Sequence, residues 1–206
     1  KTGVEVPNKY RIKNSLGNRI YCAEEKSSGF QRAIFGPSRS FKVRICDNYE
    51  QEVLSFSRPL RCSCCLFFCC LQLLEARTNA GYRIGTVEQS WSLLRPTFII
   101  KDDMGVAKLK VVGPCGRACF SSSDVTFQIF SMEKPGEKLG KIVERRISNL
   151  LEKNRTDADM FGVSFPINLD VKLKAVLIGT DFMYFENRAK KEKNPPVDKR
   201  SATTDR

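Results

Sequence analysis

A chain of 206 residues with 41% hydrophobic content holds about one domain's worth of core, and its formal charge of +12 favours anionic partners. It contains no histidine, which removes histidine triads, histidine metal ligands and the commonest general base together. No catalytic residue is assigned and enzyme chemistry is not expected.

Residues 1–7 read as a short leader ahead of a domain over residues 8–186. Tyr10 and Ile12 alternate up to Leu16-Gly17-Asn18, and Ile20 and Cys22 alternate beyond it, which predicts a hairpin. After a polar loop over 27–37, Phe41, Val43 and Ile45 lead to a turn at Asp47-Asn48 and a return over 53–56. Residues 98–100 and 107–111 flank Lys101-Asp102-Asp103-Met104-Gly105-Val106, and Val125, Phe127 and Ile129 lead through Lys134-Pro135-Gly136 to Leu139 and Ile142. These hairpin units predict an antiparallel all-β body. Trp91 and Phe98 flank Pro96 outside any basic-aromatic array of the kind that stacks nucleic-acid bases, and read as core.

Helix signals come late in the chain. Val143, Ile147, Leu150 and Leu151 are spaced for one face of a short amphipathic helix, with Arg145 and Arg146 outside it. Residues 171–185 are the most apolar run, preceded by Asp170 as a capping residue. Leu169, Val171, Leu173 and Ala175 also alternate like a strand, but Val176-Leu177-Ile178 breaks that period and favours helix. Such a helix is about 22 Å long, short of the ~20 apolar residues that a bilayer span needs. The expected architecture is therefore a mainly β fold: a closed antiparallel β-barrel wrapped around this C-terminal helix. Val171, Ala175, Ile178, Phe182 and Phe185 form its expected inward stripe. Residues 187–206 carry seven Lys/Arg against three Asp/Glu and read as a basic disordered tail.

The stretches NKYRIKNSLGNRIYCAEE (8–25), GPSRSFKVRICDNYEQEV (36–53), RPLRCSCCLFFCCLQLLE (58–75), VGPC (112–115), DADMFGVSFP (157–166) and LDVKLKAVLIG (169–179) resemble the phospholipid scramblase family, in the family's order. The resemblance implies a tubby-like closed barrel around a hydrophobic helix. It also implies calcium-triggered movement of lipid between leaflets, palmitate on the cysteine cluster and, in some members, nuclear import and DNA binding. The sequence departs from the family pattern in three places. It has no Pro-rich stretch before Asn8, and the segment around Gly140-Lys141-Ile142 matches the family's basic import segment poorly. After Gly179 the apolar run is shorter by four residues, about 6 Å of helix.

Five of the nine cysteines, Cys62, Cys64, Cys65, Cys69 and Cys70, surround Leu66-Phe67-Phe68. Cysteines bunched in this way do not read as a secreted disulfide scaffold, so the thiols are expected to be reduced and the chain intracellular. Beside a membrane they suit acylation, here by palmitate; a thiolate zinc site and a plain apolar strand are the alternatives. Asp157, Asp159, Phe161, Val163 and Asn168 fall at positions 1, 3, 5, 7 and 12 of a twelve-residue calcium-type loop. Phe161 and Val163 offer only carbonyls, so affinity is expected in the weak, millimolar range; a plain polar loop is the alternative.

Two functions follow: an ATP-independent, calcium-dependent phospholipid scramblase, or a palmitoylated adaptor without transport. The expected partner is anionic membrane on its cytoplasmic side, principally the plasma membrane, with a nuclear pool of unacylated chains and room for protein partners. Nucleic acid has no supporting array, and no small-molecule substrate site is expected.

Overall fold

The computed structural model describes residues 9–26, 40–59, 71–115, 125–145 and 160–193. Eleven strands lie in one antiparallel sheet in chain order. They are β1 (Lys9–Lys13), β2 (Arg19–Lys26), β3 (Phe41–Cys46), β4 (Glu52–Arg58), β5 (Leu73–Thr78), β6 (Arg83–Ser90), β7 (Thr97–Asp102), β8 (Ala107–Val112), β9 (Val125–Ser131), β10 (Lys138–Arg145) and β11 (Met160–Ser164). One helix, α1 (Val171–Lys193), follows.

The tight turns have a common chemical cause. The side-chain oxygens of Asn14, Asp47 and Asp102 each accept amides two and four residues on. A left-handed residue closes each turn: Gly17, Glu50 and Gly105. Short polar side chains that bond their own backbone favour this geometry.

Each central strand turns a fully buried side chain to one face: Ala23, Val43, Phe56, Leu74, Val87, Ile100, Val111, Ile129 and Ile142, from β2 to β10. Val176, Leu177, Phe182 and Met183 of α1 join them in one core. The sheet curls round the helix. Phe182 meets Tyr10 of β1 and Phe56 of β4 with ring centroids 5.4 and 5.7 Å apart, while Tyr184 meets Phe98 of β7 and Phe127 of β9 at 6.1 and 4.8 Å.

Three expectations change. The sheet is not closed: among the described residues β1 pairs with β2 alone and β11 with β10 alone, so the ladder has two edges. The enclosed helix is there, but the hydrogen-bonded barrel is not. Val143 and Arg145 lie in β10, opposite Thr126 of β9 and Met160 of β11 respectively, so they are not part of an amphipathic helix; Ile147, Leu150 and Leu151 lie outside the described residues. The C-terminal helix continues past Phe185 to Lys193, into the segment expected to be disordered.

The buried face of α1 also differs from the expected stripe. Val171 is 77% exposed, and Ala175 and Ile178 are only partly buried. Val176, Leu177, Thr180 and Met183 are the most enclosed, with Phe182 beside them. Phe185 is helical, and its side chain lies outside the described ones. Asp170 caps the helix as expected, accepting from the amides of Lys172 at 2.7 Å and Leu173 at 3.3 Å.

Candidate functional site

Strict up-and-down order gives the sheet two chemically different ends. Residues 14–18, 47–51, 79–82, 103–106 and 132–137 connect strands at one end, where α1 also begins. Residues 27–40, 59–72, 91–96, 113–124 and 146–159 connect them at the opposite end, towards which α1 runs. Strands of six to eight residues hold the ends roughly 20–25 Å apart.

At the turn end a cavity of about 330 Å³ is lined by Asp102, Asp103, Lys108, Glu133, Asp170, Lys172 and Leu173. Its charges are matched internally. Lys172 reaches Asp103 at 2.7 Å and Lys108 reaches Glu133 at 2.9 Å. Those hydrogen bonds hold the Asp103 and Glu133 carboxyls below their ordinary range and the two ammonium groups above theirs. Asp102 is occupied by turn amides and Asp170 by the helix cap. The groove therefore pins α1 to the β7–β8 turn, and each of its carboxylates already has a partner within the fold. Depressed carboxyl pKa values mean that both pairs favour the fold at neutral pH and release that contribution as pH falls through the folded-state values. The groups are solvent-exposed, so the effect is screened.

None of the described sequence-predicted site residues lines this cavity. Cys62, Cys64, Cys65, Cys69 and Cys70 lie outside the described residues, as do Asp157 and Asp159. The chain leaves β4 at Arg58 and re-enters β5 at Leu73, so the strand ends that flank the cysteines sit at the opposite end. Phe161 and Val163 are in β11, opposite Glu144 and Ile142 of β10, and Val163 packs on the core. Asn168 lies in the exposed turn after β11, beyond the strand's other end. Residues 160–164 are thus an extended strand of about 3.3 Å per residue. A straight strand does not by itself wrap an ion whose ligands stand 2.3–2.6 Å from it, and the two acids that open the predicted calcium loop lie before this strand, outside the described residues. Among the described residues no group of three or more acidic or cysteine side chains is placed to hold a metal.

Trp91 is not core: it is 50% exposed, beside Leu93 at 83% and Leu94 at 65%, whereas Phe98 is buried as expected. Sequence reasoning read the aromatics on either side of Pro96 alike. The absence of alternation in Trp91-Ser92-Leu93-Leu94 was the signal that separates a loop from a strand. Among described cysteines, Cys22, Cys46 and Cys115 are free thiols, and burial pushes the Cys46 thiol upward.

The family model for scramblases matches residues 1–187. The chain belongs to the scramblase family. It is similar to phospholipid scramblase 1 of Mus musculus, 44% identical over 195 residues, covering 93% of this chain and 58% of that protein. Phospholipid scramblase 1 of Homo sapiens is 44% identical over 200 residues, 95% of this chain and 62% of the relative. Phospholipid scramblase family member 5 of Homo sapiens is 42% identical over 191 residues, 90% and 69%. The chain spans about three fifths of the length of the first two relatives. No solved structure matches it. No described helix is long and apolar enough to cross a membrane.

Proposed function

We propose that this chain moves phospholipids in both directions between the leaflets of a bilayer, without ATP and in response to calcium. The observation that carries the reading is the scramblase match over residues 1–187, backed by about 43% identity to proteins named phospholipid scramblases. Movement in both directions down a gradient needs no coupled energy source. The calcium response is assigned to Asp157 and Asp159, since the strand over 160–164 leaves Phe161, Val163 and Asn168 without the curvature of a ligand loop. Two carboxylates place the response in the millimolar range, at the weak end of calcium sites.

Membrane residence follows from palmitate thioesters on Cys62, Cys64, Cys65, Cys69 and Cys70, because two or more acyl chains anchor stably where one is marginal. The anchored face is cytoplasmic, at the plasma membrane, and chains without palmitate supply a nuclear pool. Replacing all five cysteines by Ser is expected to move the chain from the membrane fraction to the soluble and nuclear fractions of cells. Fractionation that shows the variant still wholly in membranes contradicts the anchor.

Transport is tested in proteoliposomes carrying a fluorescent phospholipid, with chemical quenching of the outer leaflet. Purified chain is expected to expose inner-leaflet lipid faster with millimolar calcium than with chelator, and Asp157→Ala is expected to remove the difference. Binding to the vesicles with no acceleration in either condition leaves an anchored adaptor and removes the transport reading.

A further inference from the structure

The connection over residues 91–96 carries Trp91, Leu93 and Leu94 into solvent from a compact loop. The loop is held by the Ser92 hydroxyl, which accepts from the Arg95 amide at 3.4 Å, and by the Pro96 carbonyl, which accepts from the Gly113 amide at 2.8 Å. Three large apolar side chains within four residues stand at 50%, 83% and 65% exposure. The charge around them is one-sided. From Gln89 to Thr97 the only ionised residue is Arg95. Indole and aliphatic groups beside an arginine, with no acid in the loop, match the headgroup region of an anionic bilayer, where Trp prefers the interface and basic residues meet acidic lipid.

We propose that the 91–96 loop is an interfacial anchor: Trp91, Leu93 and Leu94 enter the headgroup layer of an anionic bilayer, and the sheet stands end-on with the turn end away from the membrane. This rests on the membrane reading above and adds an orientation to it. The strand ends that flank the cysteine cluster lie at the same end, so insertion and acylation act on one surface. The rival surface is weaker. Leu16, Tyr49, Tyr82, and Met104 with Val106 also stand out at hairpin tips, as do Ile167 and Val171 where α1 begins, but they are spread over separate turns. Neighbouring hairpins are about 10 Å apart, and Asp47, Glu50, Asp102 and Asp103 between the tips oppose anionic lipid.

Trp91 is the only tryptophan, so it reports on this loop without labelling. The full, unacylated chain is mixed with phosphatidylserine-containing vesicles and with phosphatidylcholine vesicles. On sedimenting with the former, its emission is expected to shift to shorter wavelength, to become protected from iodide and to be quenched by acyl-brominated lipid. Leu93→Asp combined with Leu94→Asp is expected to weaken vesicle binding about tenfold or more with an unchanged thermal melt, while Leu93→Ile with Leu94→Met retains it. Sedimentation with unchanged Trp91 emission overturns the orientation and leaves membrane binding standing. So does loss of binding in Leu16→Ser/Tyr49→Ser/Met104→Ser with the Leu93/Leu94 variant unaffected. No sedimentation with any vesicle overturns this proposal together with direct lipid binding.

Discussion

Leu177→Asp is expected to leave the chain without a cooperative thermal transition, in the absence of any membrane. Leu177 is fully buried at the centre of the core, between α1 and the concave face of the sheet. A charge there has no water to solvate it, and the site also loses an apolar side chain worth about 1.5–3 kcal/mol of burial. Together these approach the ~5–15 kcal/mol that holds a whole domain. The milder Leu177→Ala creates a cavity costing about 3 kcal/mol, which lowers the melt by roughly 6–12 °C for a chain of this size. Val171→Asp serves as the comparison. It lies on the same helix at 77% exposure and is expected to change stability by less than about 0.5 kcal/mol. Equal melts for the Leu177 and Val171 variants would take Leu177 out of the core.

Gly85→Val should be nearly as damaging, for a different reason. Gly85 sits in β6, the strand that α1 touches most, opposite Asp102 of β7. A Cβ there would run into the backbone carbonyl oxygen of Lys101 and stand 2.8 Å from Cγ2 of Val176. The carbonyl belongs to a sheet strand and cannot swing aside, so strand or helix must move. We expect a loss of about 3 kcal/mol, read as a lower denaturant midpoint. Gly162→Ala in β11 is the control, since its nearest neighbour would be the Val143 carbonyl oxygen at 3.9 Å. A double-mutant cycle of Gly85→Ala with Val176→Ala separates the two contacts. Removing the Val176 methyl groups should recover part of the loss, and the Lys101 carbonyl keeps the rest. A Gly85→Val chain as stable as the parent would mean that α1 does not pack at this point.

Gly85 also explains why this part of the sheet was hard to read. β1 to β4 and β7 to β10 were legible because buried side chains alternate on either side of turns punctuated by Asn, Asp, Pro or Gly. β5 and β6 were not. The run Ile84-Gly85-Thr86-Val87 has no alternation, because its inward position is left empty to admit Val176. β11 was hidden by Gly162 and by the acids before it, because a twelve-residue loop spacing was read across residues that pair with β10. The existence, start and cap of α1 were readable, but its orientation was not. Apolar residues lie on nearly every face between 171 and 185, so the period could not choose a buried stripe. The curl of the sheet chose Val176, Leu177, Thr180 and Met183 instead. Closure was beyond reach for a similar reason: alternation fixes which face is buried, not whether two distant edge strands meet.

The central claim is that α1 is the core of the sheet, in solution and on the membrane alike, rather than a segment that leaves to span lipid. Amide hydrogen exchange of the chain, free and bound to phosphatidylserine-containing vesicles, tests it directly. The helix amides around Val176–Met183 and the strands that α1 touches most, β5, β6 and β7, are expected to exchange slowly together in both states, with added protection on binding confined to the 91–96 loop and the end of the sheet around it. Continued protection of the helix on vesicles, with β5, β6 and β7 losing theirs, would show the helix withdrawn into lipid and the sheet emptied, and would contradict the account.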